Sequence, residues 1–287
     1  MMNEVTTTTA RVPAQRLRIT PARWLTLVLA APVLFALIGW TAFSAVDQMG
    51  NASFPVSYTF PAAGNGPVNA LIEGGNITLQ QTGVGAARLT GIAHYTLFRS
   101  TVTTSDDTVR YHCPTVLGDC ELDGTLQVPA SSAVSLSTGG GDVKIQNFTR
   151  YLTLRTGGGN LNAGSLTGGA HLITGGGDVT VSSLGGSFDL NLSGGNLNVQ
   201  AMTSPTATIE SGGGVVTLTY TEVPKNLYIK SNGGNVTLVL PRDGHYAIGY
   251  DTSGGNVSGL DSVHNDGGPN KITVNSGGGH ISFIGGN

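Results

Sequence analysis

Three kinds of residue in this chain could do chemistry, and the glycines come first. The stretch Arg155–Val181, RTGGGNLNAGSLTGGAHLITGGGDVTV, holds two GGG runs, each followed by Asn or Asp. Such loops cradle phosphates where backbone N–H groups converge on an anion and no Cβ intrudes. A phosphate loop, however, needs GxxxxGK[ST] opening a helix, and a dinucleotide site needs GxGxxG between strand and helix. Here strand-like sequence follows the glycines, neither pattern is completed, and the loop recurs eight times. Calcium-binding nonapeptides of the GGxGxDxUx type are a nearer rival. They need several carboxylates per site, and only Asp142 and Asp178 stand at the equivalent positions. No metal and no cofactor is expected.

The histidines are the second kind. His171 and Asp189 fall in equivalent outward slots of adjacent repeats and can approach each other, which reads as a solvated surface contact. His94, His112, His245, His264 and His280 are scattered, with neither HExxH nor triad spacing. Polysaccharide-cleaving β-helices need clustered carboxylates on one face, whereas the outward positions here are mainly Thr, Ser and Asn. The expectation is a protein that is not an enzyme. Third are Cys113 and Cys120, in HCPTVLGDC. The spacing is not CxxC and His112 alone adjoins, so a local structural disulfide in an exported domain is expected rather than a metal site.

What positions these residues is a repeat. Aligning the chain on the residue after each glycine pair gives Asp142, Asn160, Asp178, Asn196, Val215, Asn235, Asn256 and His280, at spacings of 18, 18, 18, 19, 20, 21 and 24. Gly141, Gly159, Gly177, Gly195, Gly214, Gly234, Gly255 and Gly279 precede these anchors without exception. EGGNITL at Asn76 reads as an earlier member. After each anchor the sequence alternates, as in Val179-Thr180-Val181, and a second alternating run precedes the glycines, as in Ala170-His171-Leu172. Period-2 alternation marks strands with one face in and one out. Each unit is therefore strand, glycine corner, strand, second corner.

One unit cannot bury its apolar side, but stacked units can. The pattern predicts an all-β fold, a right-handed parallel β-helix (β-solenoid) of about eight 18–24-residue coils. Glycine supplies φ > 0 at the corners, and Asn or Asp at the anchor suits the left-handed region and local backbone hydrogen bonds. The later units lengthen in their second corners, PRDGH (241–245) and LDSVHNDGGPN (260–270), where a binding surface is most easily added.

Ahead of the repeats, Trp24–Val46 carries no charge over 23 residues, enough to cross a bilayer as one helix. Arg11, Arg16, Arg18 and Arg23 precede it against Glu4 alone, which places the N-terminus in the cytoplasm by the positive-inside rule. The run is longer than a signal-peptide core and Phe43 spoils a cleavage site, so an uncleaved anchor is expected. Residues 46–287 hold 10 Lys/Arg against 16 Asp/Glu, which excludes a basic nucleic-acid face. The chain thus divides into a basic cytoplasmic segment (1–23), a transmembrane helix (24–46), a linker (47–64), an irregular β portion with the Cys loop (65–130) and the repeats (131–287).

STGGGDVKI, RTGGGNLNA, ITGGGDVTV and LSGGNLNV resemble the bacterial "putative adhesin" family of Gly-rich β-solenoid domains, over about residues 65–287. That resemblance implies a solenoid with no catalytic residues, often behind a single membrane helix, and some members are linked to envelope-stress signalling. The combined expectation is a single-pass cell-membrane protein with an extracellular solenoid that contacts cell-wall polymer or a surface protein. The alternative is a sensory domain acting through a membrane partner. Because ISFIGGN at the C-terminus shows no polar cap, self-association through the solenoid end is a further expectation.

Overall fold

The computed structural model describes residues 52–286 apart from 63–65, 84, 97 and 115–118. The expected transmembrane helix at 24–46 and the basic segment before it lie outside the described residues. Among the described residues no helix is long and apolar enough to cross a membrane.

Among the described residues, alternating sequence becomes two sheets of twelve strands each. The strands that precede the glycine corners form one sheet, here the leading sheet, and those that follow form the trailing sheet. In the leading sheet Val134–Thr138, Leu152–Thr156, Ala170–Thr174 and Phe188–Leu192 pair in parallel, one repeat per strand. In the trailing sheet Val143–Phe148, Leu161–Leu166 and Val179–Leu184 do the same. Parallel register puts like on like. Leu136, Leu154, Leu172, Leu190, Ile209, Ile229 and Val274 form one buried ladder. Val143, Leu161, Val179, Leu197, Val216, Val236 and Ile281 form the facing one. Burial of each such side chain contributes about 1.5–3 kcal/mol before conformational entropy is charged. The architecture is a two-sheet β-solenoid.

The stack holds ten coils, two more than the repeat spacing alone suggests. Asn76 anchors a full coil, whose strands Val68–Ile72 and Ile77–Thr82 lie against Val134–Thr138 and Val143–Phe148. The segment 65–130 then adds a coil of its own. Thr108–His112 pairs in parallel with Val68–Ile72, and Cys120–Pro129 with Ile77–Thr82. Asp123 holds the anchor position of that coil. Beyond it the strands turn antiparallel: Ala86–Tyr95 on Cys120–Pro129, Ala52–Pro61 on Ala86–Tyr95, and Thr101–Ser105 on Thr108–His112. Ala52–Pro61, read as linker from the sequence, is thus a ten-residue edge strand, and Pro55 and Pro61 blunt its open side.

Stacking order departs from chain order at the other end. Asn226–Ser231 and Val236–Pro241 pair not with the next strands in sequence but with Asn270–Ser276 and Ile281–Gly286. The coil built from His245–Thr252 and Val257–Ser258 lies outside these last strands. Ile281–Gly286 is therefore an inner strand, and its outer edge is covered. Ser262 Oγ accepts from the Gly285 N–H at 2.9 Å, and Arg242 Nε donates to the Gly285 carbonyl at 3.1 Å. The absent polar cap is supplied by the 241–268 segment, which ends the trailing sheet on a strand of two residues.

Candidate recognition surface

Two hydrogen-bond devices hold the glycine corners, and only one was anticipated in any form. Four residues before the anchor, a buried hydroxyl turns back onto the corner. Thr138 donates to the Gly140 carbonyl at 2.8 Å, Thr156 to that of Gly158 at 2.5 Å and Ser211 to that of Gly213 at 2.6 Å. Ser231 and Ser276 reach one residue further, to Gly234 and Gly279. The signal was in the sequence as a Thr or Ser at this slot in seven of the eight repeats, with Leu192 the exception.

The anchors themselves are explained differently from the sequence reading. Asp106 is the one non-glycine residue with positive φ among those described, so the anchors are not left-handed. The preceding glycine takes that conformation, with φ 79° at Gly159 and 78° at Gly177. The anchor side chain instead reaches along the stack. Asn160 N–H donates to Asp142 Oδ1 at 2.8 Å, Asp178 N–H to Asn160 Oδ1 at 3.0 Å and Asn196 N–H to Asp178 Oδ1 at 2.8 Å. The ladder runs below to Asn76 and Asp123 and above to Val215, whose N–H donates to Asn196 Oδ1 but whose side chain offers no oxygen to the next coil. It resumes from Asn235 to His280 at 2.9 Å, skipping Asn256, because the coils are stacked in that order. Of the remaining predicted corner residues, Gly195 and Gly214 share the positive φ, while Gly234, Gly255 and Gly279 do not.

Cys113 and Cys120 are joined by a disulfide, with their Cα atoms 6.1 Å apart. It closes the corner of the Asp123 coil, where the other coils have glycines. Glu73 ties this corner to the coil above, accepting from the Cys113 N–H at 2.8 Å and pairing with His112 Nδ1 at 2.6 Å. Partial burial works against ionisation of Glu73, but the Cys113 and His112 hydrogen bonds and the charges of His112 and Arg110 outweigh it and hold its pKa below the ordinary 4.5. A group so depressed contributes stability that is fully present above 4.5 and lost as pH falls through the lower folded value. Glu73→Gln is expected to flatten the acid limb of a plot of Tm against pH. An acid limb unchanged by the substitution would contradict this role.

The enlarged corners at 241–245 and 260–270 meet at the far end. His245 Nδ1 lies 2.5 Å from Asp266 Oδ2, and the rings of His245 and His264 are 5.7 Å apart. The hydrogen bond from His245 holds Asp266 below its ordinary pKa, on a fully exposed site. Among the described residues no cluster of three or more His, Cys, Asp or Glu is arranged to hold a metal.

The richest outward chemistry lies on the leading sheet. Thr153, His171, Asp189, Thr208 and Tyr228 form one row across successive coils, and Arg155, Ile173, Asn191, Glu210 and Lys230 the next. His171 Nδ1 stands 3.2 Å from Asp189 Oδ2, so the sequence-paired slots do come together. Two shallow troughs of about 270 and 260 Å³ cross these rows, the first beside Tyr151 and Asp189 and the second beside Asn191 and Glu210. The trailing sheet shows mostly amides and hydroxyls in register, Asn162, Thr180, Asn198 and Thr217.

Residues 68–267 match the family model described as Toastrack DUF4097, well over half of the chain. The chain belongs to the toastrack family. Among curated proteins none matches it. Solved structures similar to this toastrack chain include a "putative adhesin" from Bacteroides fragilis, 17% identical with a TM-score of 0.49, covering 82% of this chain and 99% of that one. A "putative cell adhesion protein" from Clostridium sporogenes is 14% identical with a TM-score of 0.29, covering 82% and 100%. A "putative lipid binding protein" from Parabacteroides distasonis is 9% identical with a TM-score of 0.36, covering 82% and 97%.

Proposed function

We propose that this toastrack protein is a single-pass cell-membrane protein, anchored through Trp24–Val46 with its N-terminus in the cytoplasm and its solenoid outside. Its role is recognition, contact with cell-wall polymer or a surface protein, rather than catalysis. The observation that supports this most is the character of the outer faces. They are long rows of in-register polar side chains crossed by shallow open troughs, a form suited to an extended partner. We further infer right-handed winding, the sense taken by nearly all parallel crossover connections. End-to-end association would use the outer coil at Val257–Ser258 or the edge at Ala52–Pro61, since Ile281–Gly286 is internal.

Sedimentation with purified peptidoglycan sacculi tests the reading. Full-length protein in detergent is expected to pellet with the sacculi and to be released by their enzymatic digestion. Protein that stays in the supernatant, yet captures a solubilised membrane protein, would replace wall binding with the sensory role.

A further inference from the structure

We propose that the trough on the leading sheet binds an extended neutral glycan, a site that rests on the wall-binding reading and sharpens it. Tyr151 provides the platform. Its side chain is 44% exposed, and the next coil offers Gly169 opposite it. A Cβ at Gly169 would run first into the Ser187 backbone and would stand 3.4 Å from Tyr151 Cδ2, so the ring lies beside the bare glycine with no side chain between them. An exposed aromatic ring of this kind packs against the C–H face of a sugar while its hydroxyl keeps a polar contact.

Beyond the ring, the trough presents donors and acceptors rather than a charged field. In the trough that holds Tyr151, Asp189 accepts and Thr208 can turn its hydroxyl either way, and in the second trough Glu210 accepts and Asn191 does both. The two rows carry two carboxylates, Asp189 and Glu210, and two fixed cations, Arg155 and Lys230, so their formal charges cancel. Balanced charge of this kind selects neither a polyanion nor a polycation, which favours a neutral ligand rich in hydroxyls.

Spacing supplies the last argument. From the Tyr151 coil to the Tyr228 coil is four strand spacings, about 19 Å. An extended oligosaccharide of a few units, laid across the coils, suits a trough of that length. The trailing sheet repeats at the same spacing, but its central Asn and Thr rows carry neither ring nor carboxylate.

Titration calorimetry of the full-length protein, in micelles without sugar headgroups, against cellotetraose and chitotetraose tests this. Saturable binding of at least one is expected, and Tyr151→Ala should weaken it by about tenfold, the loss of one aromatic contact. Asp189→Asn should weaken it as well, whereas Asn198→Ala on the trailing sheet should not. Because Tyr151 is exposed, unchanged thermal melting will separate lost binding from lost folding. No saturable heat with either sugar, or binding indifferent to Tyr151→Ala, overturns the assignment. If the variant still pellets with sacculi as the wild type does, wall binding survives and the trough does not. If neither protein pellets and neither sugar binds, both readings fall. Loss of a captured membrane protein in Tyr151→Ala, without sugar binding, would make the trough a protein interface and refute the glycan.

Discussion

Gly177→Ala is expected to destabilise the solenoid by about 3 kcal/mol, while Gly176→Ala next to it stays within about 0.5 kcal/mol. At Gly177 the backbone has φ 78°, and an added Cβ would run into the Gly159 carbonyl of the coil below. The Gly159 carbonyl has little room to yield, since it is backbone in a corner fixed at both ends by the paired strands Leu152–Thr156 and Leu161–Leu166. The same clash recurs at Gly159 against Gly141 and at Gly195 against Gly177. At Gly176 nothing lies within 4 Å of the built Cβ. For a domain of this size the first substitution corresponds to a fall in Tm of about 6–12 °C. Equal effects at the two sites would mean that the glycines serve flexibility rather than coil-to-coil contact.

Phe283→Ala carries the second large effect, about 3–5 kcal/mol, read as a shift in urea midpoint. Phe283 is 2% exposed because its strand lies between Val236–Pro241 and the outer coil. Val257 is half-buried on the outermost strand of the same sheet, so Val257→Ala should cost less than about 1 kcal/mol. Had the coils stacked in chain order, the two positions would exchange places. Val257 would be enclosed and Phe283 would stand at the open end. A larger loss at Val257 than at Phe283 would therefore contradict the interleaved order.

Much of the fold was legible in the residues because side-chain alternation and corner chemistry are local. Val179-Thr180-Val181 states which face is buried, and the glycine pair states where the chain turns. The function of the anchor was misread, since Asn160 has no local partner. Its oxygen serves the N–H of Asp178, which lies 18 residues away in sequence and one strand away in space. Stacking order was not legible for a related reason. Units with the same inward pattern fit on one another in any sequence, so nothing in the repeat of Asn256 or His280 tells which lies inside. What decides is carried by residues outside the repeat. Arg242 and Ser262 fasten onto Gly285, and Asn235 offers its oxygen to His280. At the other end the 65 residues between Asn76 and Asp142 build the Asp123 coil and its antiparallel closure before the chain returns to the stack. The leading-sheet trough needed the structure too, because Tyr151, Asp189 and Glu210 belong to three coils.

Everything placed on the two faces depends on how the coils are stacked, and a cysteine trap reads that directly. Thr237 and Ser282 face outward on adjacent strands of the trailing sheet, with Ser258 one strand further. Adjacent strands lie about 4.8 Å apart, within disulfide reach, and two spacings of about 9.6 Å are not. In otherwise intact protein, Thr237→Cys with Ser282→Cys is expected to form a second disulfide under mild oxidation. Thr237→Cys with Ser258→Cys should remain reduced. Cross-linking of the second pair and not the first would contradict the stack.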